Sequence, residues 1–87
     1  MIEILAFYKT AYDDYNKWEE TDKKLFKRIK ELIKDISRNP FDGIGKPEPL
    51  KHELSGYWSR RINDEHRLVY KVSENTIYIV SCREHYK

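Results

Sequence analysis

Between Thr21 and Pro40 the chain places an apolar residue every three or four positions: Leu25, Phe26, Ile29, Leu32, Ile33 and Ile36. Lys23, Lys24, Lys27, Arg28, Lys30 and Lys34 occupy the positions between. This spacing predicts an amphipathic helix with one side that must be covered and one that stays wet. Thr21-Asp22 offers a cap at its start, and Asn39-Pro40 ends it, because proline disfavours the α conformation at the residue before it. Such a stripe is stable only against a second layer of structure. With 87 residues in all, that layer must come from one small domain, which buries only about 60% of its unfolded surface.

The second layer reads as β-structure. Ile2 to Phe7 is a short strand by composition and partial alternation. Thr10, with Asp13 three residues on, is a candidate start for a first helix carrying Ala11, Tyr15 and Trp18 on one stripe. From Phe41 to Pro49 sit two of the three glycines and two of the three prolines, which bars both helix and central strand. Four strands follow: Leu50 to Leu54, Tyr57 to Ile62, Arg67 to Val72, and Thr76 to Cys82 continuing toward Tyr86. Ser55-Gly56, Asn63-Asp64 and Ser73-Glu74-Asn75 supply the turns, and such short links imply an antiparallel meander. The expected fold is α+β: one domain over residues 1–87, with an N-terminal strand and two helices packed on one face of a mainly antiparallel sheet.

The sequence excludes several classes. A nucleotide-binding doubly wound sheet does not fit the length. Apolar runs such as Ile4 to Tyr8 and Ile77-Tyr78-Ile79-Val80 fall far short of the ~20 residues of a membrane span. Met1 leads straight into Ile2-Glu3-Ile4, with no secretory signature. The single Cys82 rules out an internal disulfide, fits a cytoplasmic setting and is too little sulfur for a zinc knuckle. No metal or cofactor is expected. Lys and Arg number 17 against 15 acids, a net charge of +2. All of that excess lies after Gly45, where the arginines Arg60, Arg61, Arg67 and Arg83 are found. Arginine suits bidentate phosphate contacts, so a phosphate-bearing ligand is a candidate.

If the helices cover one sheet face, the other is left for function. Alternation puts Tyr57, Ser59 and Arg61 on one side, and Trp58, Arg60 and Ile62 on the other. In the next strand Leu68, Tyr70 and Val72 take the helix side, which turns Arg67 and Lys71 outward. The same parity sends Ser81, Arg83 and His85 outward, opposite Val80, Cys82 and Tyr86. Arg61, Arg67, Arg83 and His85 are therefore expected together on the open face. Glu48 enters beside it between Pro47 and Pro49, which stiffen its backbone. A carboxylate, an imidazole and several guanidinium groups suit RNA cleavage through the ribose 2′-OH: base, acid and charge stabiliser. Tyr57, Trp58 and Tyr86 are candidates for stacking a base, and His66 is an alternative acid. The lysines of the second helix read as an ordinary solvated face.

These residues carry a resemblance. Glu20-Thr21-Asp22-Lys23, Gly45-Lys46-Pro47-Glu48-Pro49-Leu50-Lys51-His52, Leu54-Ser55-Gly56 with Trp58 to Ile62, Glu65-His66-Arg67-Leu68-Val69-Tyr70, Cys82-Arg83 and His85-Tyr86 occur in that order. The chain resembles the YoeB group of bacterial type II toxins, within the RelE/ParE superfamily, over essentially its whole length. The resemblance implies a RelE-like domain similar to small microbial ribonucleases. It implies a ribosome-dependent endoribonuclease that cuts mRNA in the A site and inhibits translation. It assigns the base to Glu48, the phosphate-stabilising arginine to Arg67, the acid to His85 and a neighbouring role to Tyr86. Lys51 and Arg61 match further RNA-binding or catalytic positions, with Lys46 and Arg83 beside them as RNA contacts. It also implies an acidic YefM/Phd-type antitoxin as partner, operator DNA bound only through that complex, and a homodimer or toxin–antitoxin assembly. Lys87 follows the terminal His-Tyr pair, and Glu84 stands where relatives can carry an aromatic. The alternative is a ParE-like toxin that binds a protein target without catalysis.

Overall fold

The computed structural model describes residues 1–84. Its strands are β1 (Ile4–Phe7), β2 (Glu48–Pro49), β3 (Trp58–Arg61), β4 (Arg67–Ser73) and β5 (Thr76–Ser81). Two helices, α1 (Lys9–Thr21) and α2 (Lys23–Arg38), lie between β1 and β2. The sheet order is β1-β5-β4-β3-β2; β2 to β5 form the antiparallel meander, and β1 joins as a parallel edge on β5. This is the expected α+β architecture. Among the described residues no helix is long and apolar enough to cross a membrane.

The α2 pattern is realised directly. Asp22 caps the helix, its carboxylate accepting from the Leu25 amide at 3.0 Å. Leu25, Ile29, Leu32, Ile33 and Ile36 are buried and meet Leu68, Tyr70, Ile77 and Ile79 of the sheet. The α1 helix starts one residue before Thr10, at Lys9, and Asp13 pairs with Lys9 at 2.7 Å instead of serving the helix start. Its Trp18 indole donates to the Cys82 carbonyl at 3.0 Å. Burial pushes the Cys82 thiol up to about 12, so it packs and carries no thiolate at neutral pH.

The expected strand from Leu50 to Leu54 does not form. The ladder here is the edge pair Glu48–Pro49, and the chain then turns through a 3₁₀ segment at His52–Leu54. Local bonds replace a ladder: Leu54 donates to the Lys51 carbonyl at 3.1 Å, Ser55 to His52 at 3.0 Å and Tyr57 to Leu54 at 3.0 Å.

The glycine- and proline-rich stretch is ordered by Arg60, which is fully buried on the helix side of β3. Its Nη1 donates to Asp35 Oδ2 at 2.6 Å and to the Ile44 carbonyl at 3.1 Å. Nη2 donates to the carbonyls of Asn39 and Asp42, and Nε to the Tyr70 hydroxyl at 3.2 Å. Every N–H direction of the guanidinium is thus used, which is what makes a buried cation tolerable. The Tyr70 hydroxyl in turn donates to the Pro40 carbonyl at 2.6 Å. Gly45 completes the arrangement at φ +80°; a Cβ there would lie 2.7 Å from Leu32 Cδ2 and 3.2 Å from the Arg61 carbonyl. Its own carbonyl accepts from the Arg61 amide at 2.7 Å, fastening the loop that leads to Glu48 along β3.

Candidate functional site

The face turned away from the helices is organised in rows, because residues directly opposite across strands share a side. Glu48 of β2 is opposite Ser59 of β3, Ser59 opposite Val69 of β4, and Val69 opposite Ser81 of β5. Ser59 and Val69 are buried, which makes this row the floor of the face. Beside it Arg61 pairs with Arg67. Glu48, Arg61 and Arg67 are therefore brought to one face: the two arginines as parity predicts, and Glu48 beside them as its proline-flanked position suggests. Adjacent diagonal positions on one face lie roughly 7–8 Å apart, within reach of long side chains.

Each is positioned by identifiable local structure. Glu48 is exposed on an edge strand whose prolines fix its backbone, and Lys46 ahead of it holds a left-handed φ of 51°. The Arg67 guanidinium is anchored through Nη1 to the carbonyls of Asn63 at 2.7 Å and His66 at 3.2 Å. Anchoring one nitrogen lowers the entropy cost of presenting the planar fork to a phosphate. Arg61 is exposed at the end of β3. Lys46 and Lys51 are exposed on either side of β2.

Other residues depart from the sequence reading. Arg83 leaves the sheet after Ser81; its guanidinium sits 5.3 Å over the Trp18 ring and 3.9 Å from Asp14, so it lies against α1 rather than beside Arg67. Trp58 packs on the core and against Phe41, with ring centroids 4.8 Å apart, and is no free stacking platform. His66 is buried; its Nδ1 accepts from the Glu84 amide at 2.7 Å and its ring meets Trp18 edge-on at 4.9 Å. It is an anchor rather than an acid. The Arg67 amide in turn donates to the Glu84 carbonyl at 2.7 Å, so His66 and Arg67 fix the backbone that leads to residue 85. His85 and Tyr86 lie outside the described residues.

A bulge at Val69/Tyr70 shifts the β4–β5 register, so that Tyr70 faces Ile79 while Val69 faces Ser81. Val80 is the extra residue, and it lets both Ile79 and Cys82 reach the core while Ser81 joins the open face. On the far side of the floor row lies a cluster that the site reading left unassigned. Lys71 is opposite Tyr78, and its ammonium stands 5.2 Å from that ring, 5.4 Å from Tyr57 and 6.0 Å from Tyr8. The Tyr57 hydroxyl and the Lys71 ammonium hold the Tyr8 phenol below its ordinary value, and the Tyr8 hydroxyl holds Lys71 above its own. Its signal was present in the parity of Lys71 and Tyr78, but Tyr8 is brought in only by the β1–β5 pairing.

Comparison with known proteins places the family and the fold. The family model for the YoeB-like toxin of bacterial type II toxin-antitoxin systems matches residues 7–86. The Toxin YoeB of Synechocystis is 60% identical over 83 residues, covering 95% of this chain and 96% of its own. Among solved structures, the YoeB-YefM complex from Staphylococcus aureus aligns with TM-score 0.89 at 50% identity, over 99% of both chains. The YoeB dimer from Staphylococcus aureus aligns with TM-score 0.91 at 52% identity, over 99% of this chain and 100% of that one. The chain therefore belongs to the YoeB-like toxins of bacterial type II toxin–antitoxin systems.

Proposed function

We propose that this toxin is an endoribonuclease that cuts mRNA in the ribosomal A site by acid–base attack of the ribose 2′-OH. The observation that carries the reading is the convergence of Glu48, Arg61 and Arg67 on one sheet face, with Ser59 and Val69 as its floor. Glu48 takes the proton from the 2′-OH, which attacks the adjacent phosphorus. Arg67, with Arg61 beside it, stabilises the charge that grows on the phosphoryl oxygens. His85 protonates the departing 5′-oxygen, with Tyr86 beside it. The products are a 2′,3′-cyclic phosphate and a 5′-hydroxyl end. Lys46 and Lys51 supply further cationic contacts to RNA. The protein acts in the cytoplasm, on the ribosome.

A YefM-type antitoxin is the proposed partner, since the Staphylococcus aureus relative forms a complex with YefM, and self-association is proposed because that relative also forms a dimer. An acidic disordered segment folding over the cationic face would silence it. Operator DNA is reached through that complex.

The test is primer extension on a defined message in a purified translation system, with and without ribosomes. Cuts only with ribosomes are expected, falling by about 10²–10⁴-fold in Glu48→Gln, Arg67→Ala and His85→Ala. Undiminished cutting in all three variants removes the assignment. Growth arrest without any cut transfers it to a ParE-like protein target.

A further inference from the structure

The open face does not end at the floor row. On one side of Glu48, Ser59 and Val69 lies the arginine pair; on the other, one strand step along, lies Lys71 in its ring of tyrosines. That second row runs across four strands. Tyr57 flanks β3, Lys71 is in β4, Tyr78 is in β5, and Tyr8 follows β1, its amide donating to the Ile79 carbonyl at 2.9 Å. The carboxylate is thus bracketed by two cationic rows of different chemistry.

Structural packing does not account for this row. Lys71 and Tyr78 are on the face away from the core and are only partly buried, and Tyr8 remains exposed. Among the described residues Lys71 makes no ion pair with a carboxylate. Its neighbours are tyrosine rings and the Tyr8 hydroxyl, which attract the ammonium and leave it charged. A lysine fixed in position, still charged and without a counter-ion, is a site for an anion. Phenol rings around it add flat surfaces on which any base can stack.

We infer that Lys71 with Tyr8, Tyr57 and Tyr78 forms a second RNA subsite, which holds a nucleotide flanking the scissile position, the ammonium on its phosphate and a tyrosine ring on its base. The inference rests on the nuclease reading for its choice of RNA. Arg67 and Lys71 are four residues apart on one strand, about 13 Å at 3.3–3.4 Å per residue. That span calls for a strand of several nucleotides laid along β4, with Glu48 to one side of it, rather than a mononucleotide. The division of labour is also set by chemistry. Arginine forks on the other side of Glu48 suit the reacting phosphate, whereas a single ammonium among rings suits a strand that is held without base selection.

The experiment measures binding of a fluorescent single-stranded RNA octamer to the full chain carrying Glu48→Gln, over a series of salt concentrations. Adding Lys71→Met is expected to weaken binding about fivefold to tenfold at low salt and to lower the log–log salt slope by about 0.7, the loss of one phosphate contact. Lys71→Arg restores both. Tyr78→Leu weakens binding about tenfold with the slope unchanged, because stacking releases no counterions. A Lys71→Met protein that unfolds at the parent's urea midpoint and binds the octamer with unchanged affinity and slope overturns the subsite. So does a Glu48→Gln protein that binds no octamer at low salt, even if the parent cuts ribosome-bound mRNA. So does a Lys71→Met effect confined to ribosomal RNA in vacant ribosomes, or to an acidic peptide of the antitoxin type. Lys71-dependent binding by a chain whose parent cuts no message keeps the subsite and removes only the nuclease reading.

Discussion

Arg60 and Arg61 are neighbours on β3 and meet opposite fates. Arg60 turns to the helix side, is fully buried and spends every donor on Asp35, the Tyr70 hydroxyl and the carbonyls of Asn39, Asp42 and Ile44. Arg61 turns to the open face, is exposed and lies opposite Arg67. Side chains of one chemistry, 3.3–3.4 Å apart along the strand, serve as a building element and as a ligand contact. The difference is the company each keeps. A guanidinium with five satisfied donors has nothing left for a phosphate, and one on a polar, open face beside another cation gains most by finding an anion.

The sharpest way to break this contrast is to exchange the roles. Arg60→Met should cost about 3–5 kcal/mol in urea unfolding, since it leaves Asp35 and a ring of loop carbonyls without a partner. Arg61→Met should leave stability within about 0.5 kcal/mol of the parent while lowering mRNA cleavage. If both variants lose stability equally, the division between the two faces is wrong. Gly45→Ala comes next. It forces an L side chain to φ +80° and crowds Leu32 and the Arg61 carbonyl. The left-handed conformation alone costs about 1–2 kcal/mol. Because the same loop carries Glu48, thermal denaturation and cleavage should fall together in this variant. A drop in Tm with full cleavage would show that the loop orders Glu48 less than its geometry indicates.

The smallest effect is in pH. The Arg60 guanidinium, with the Ile44 amide, holds the Asp35 carboxyl below its ordinary value of 3.8. A carboxylate depressed in the folded state contributes stability that is complete above the unfolded value and is lost as pH falls through the folded one. The urea midpoint should therefore be flat with respect to Asp35 above about pH 5 and decline below about pH 4. Asp35→Asn should lower the plateau and flatten that decline. An unaltered acid limb in Asp35→Asn would mean that the pair is not held as described.

How much of this was legible in the sequence follows from where each interaction is closed. The α2 stripe was legible because a helix repeats within itself, and its partners need only be apolar. Arg61 and Arg67 were legible by parity, because β3 and β4 are regular over the residues involved, and Glu48 by its place between two prolines beside that face. Arg60 was placed on the correct side, but its role was hidden: its acceptors lie 16 to 25 residues back for Asp35, Asn39, Asp42 and Ile44, and most are main-chain carbonyls that no side chain advertises. Arg83 was misread because alternation was carried past Ser81, where β5 ends. Leu50 to Leu54 was misread because apolar ends suggest a strand, whereas bonds closed within a few residues decide the backbone there.

The parallel pairing of β1 with β5 has a consequence in time. Ile4 finds its partner in Thr76, and Phe7 in Ile79, almost at the other end of the chain. Contacts of such sequence separation form late, after the entropy of closing nearly the whole polypeptide has been met. During synthesis β1 emerges first and has no strand beside it until β5 is made. The sheet, and with it the row that joins Tyr8 to Tyr78 and Lys71, is therefore among the last features to be completed. A face that spans the whole sheet is thus completed only when its first and last strands have met.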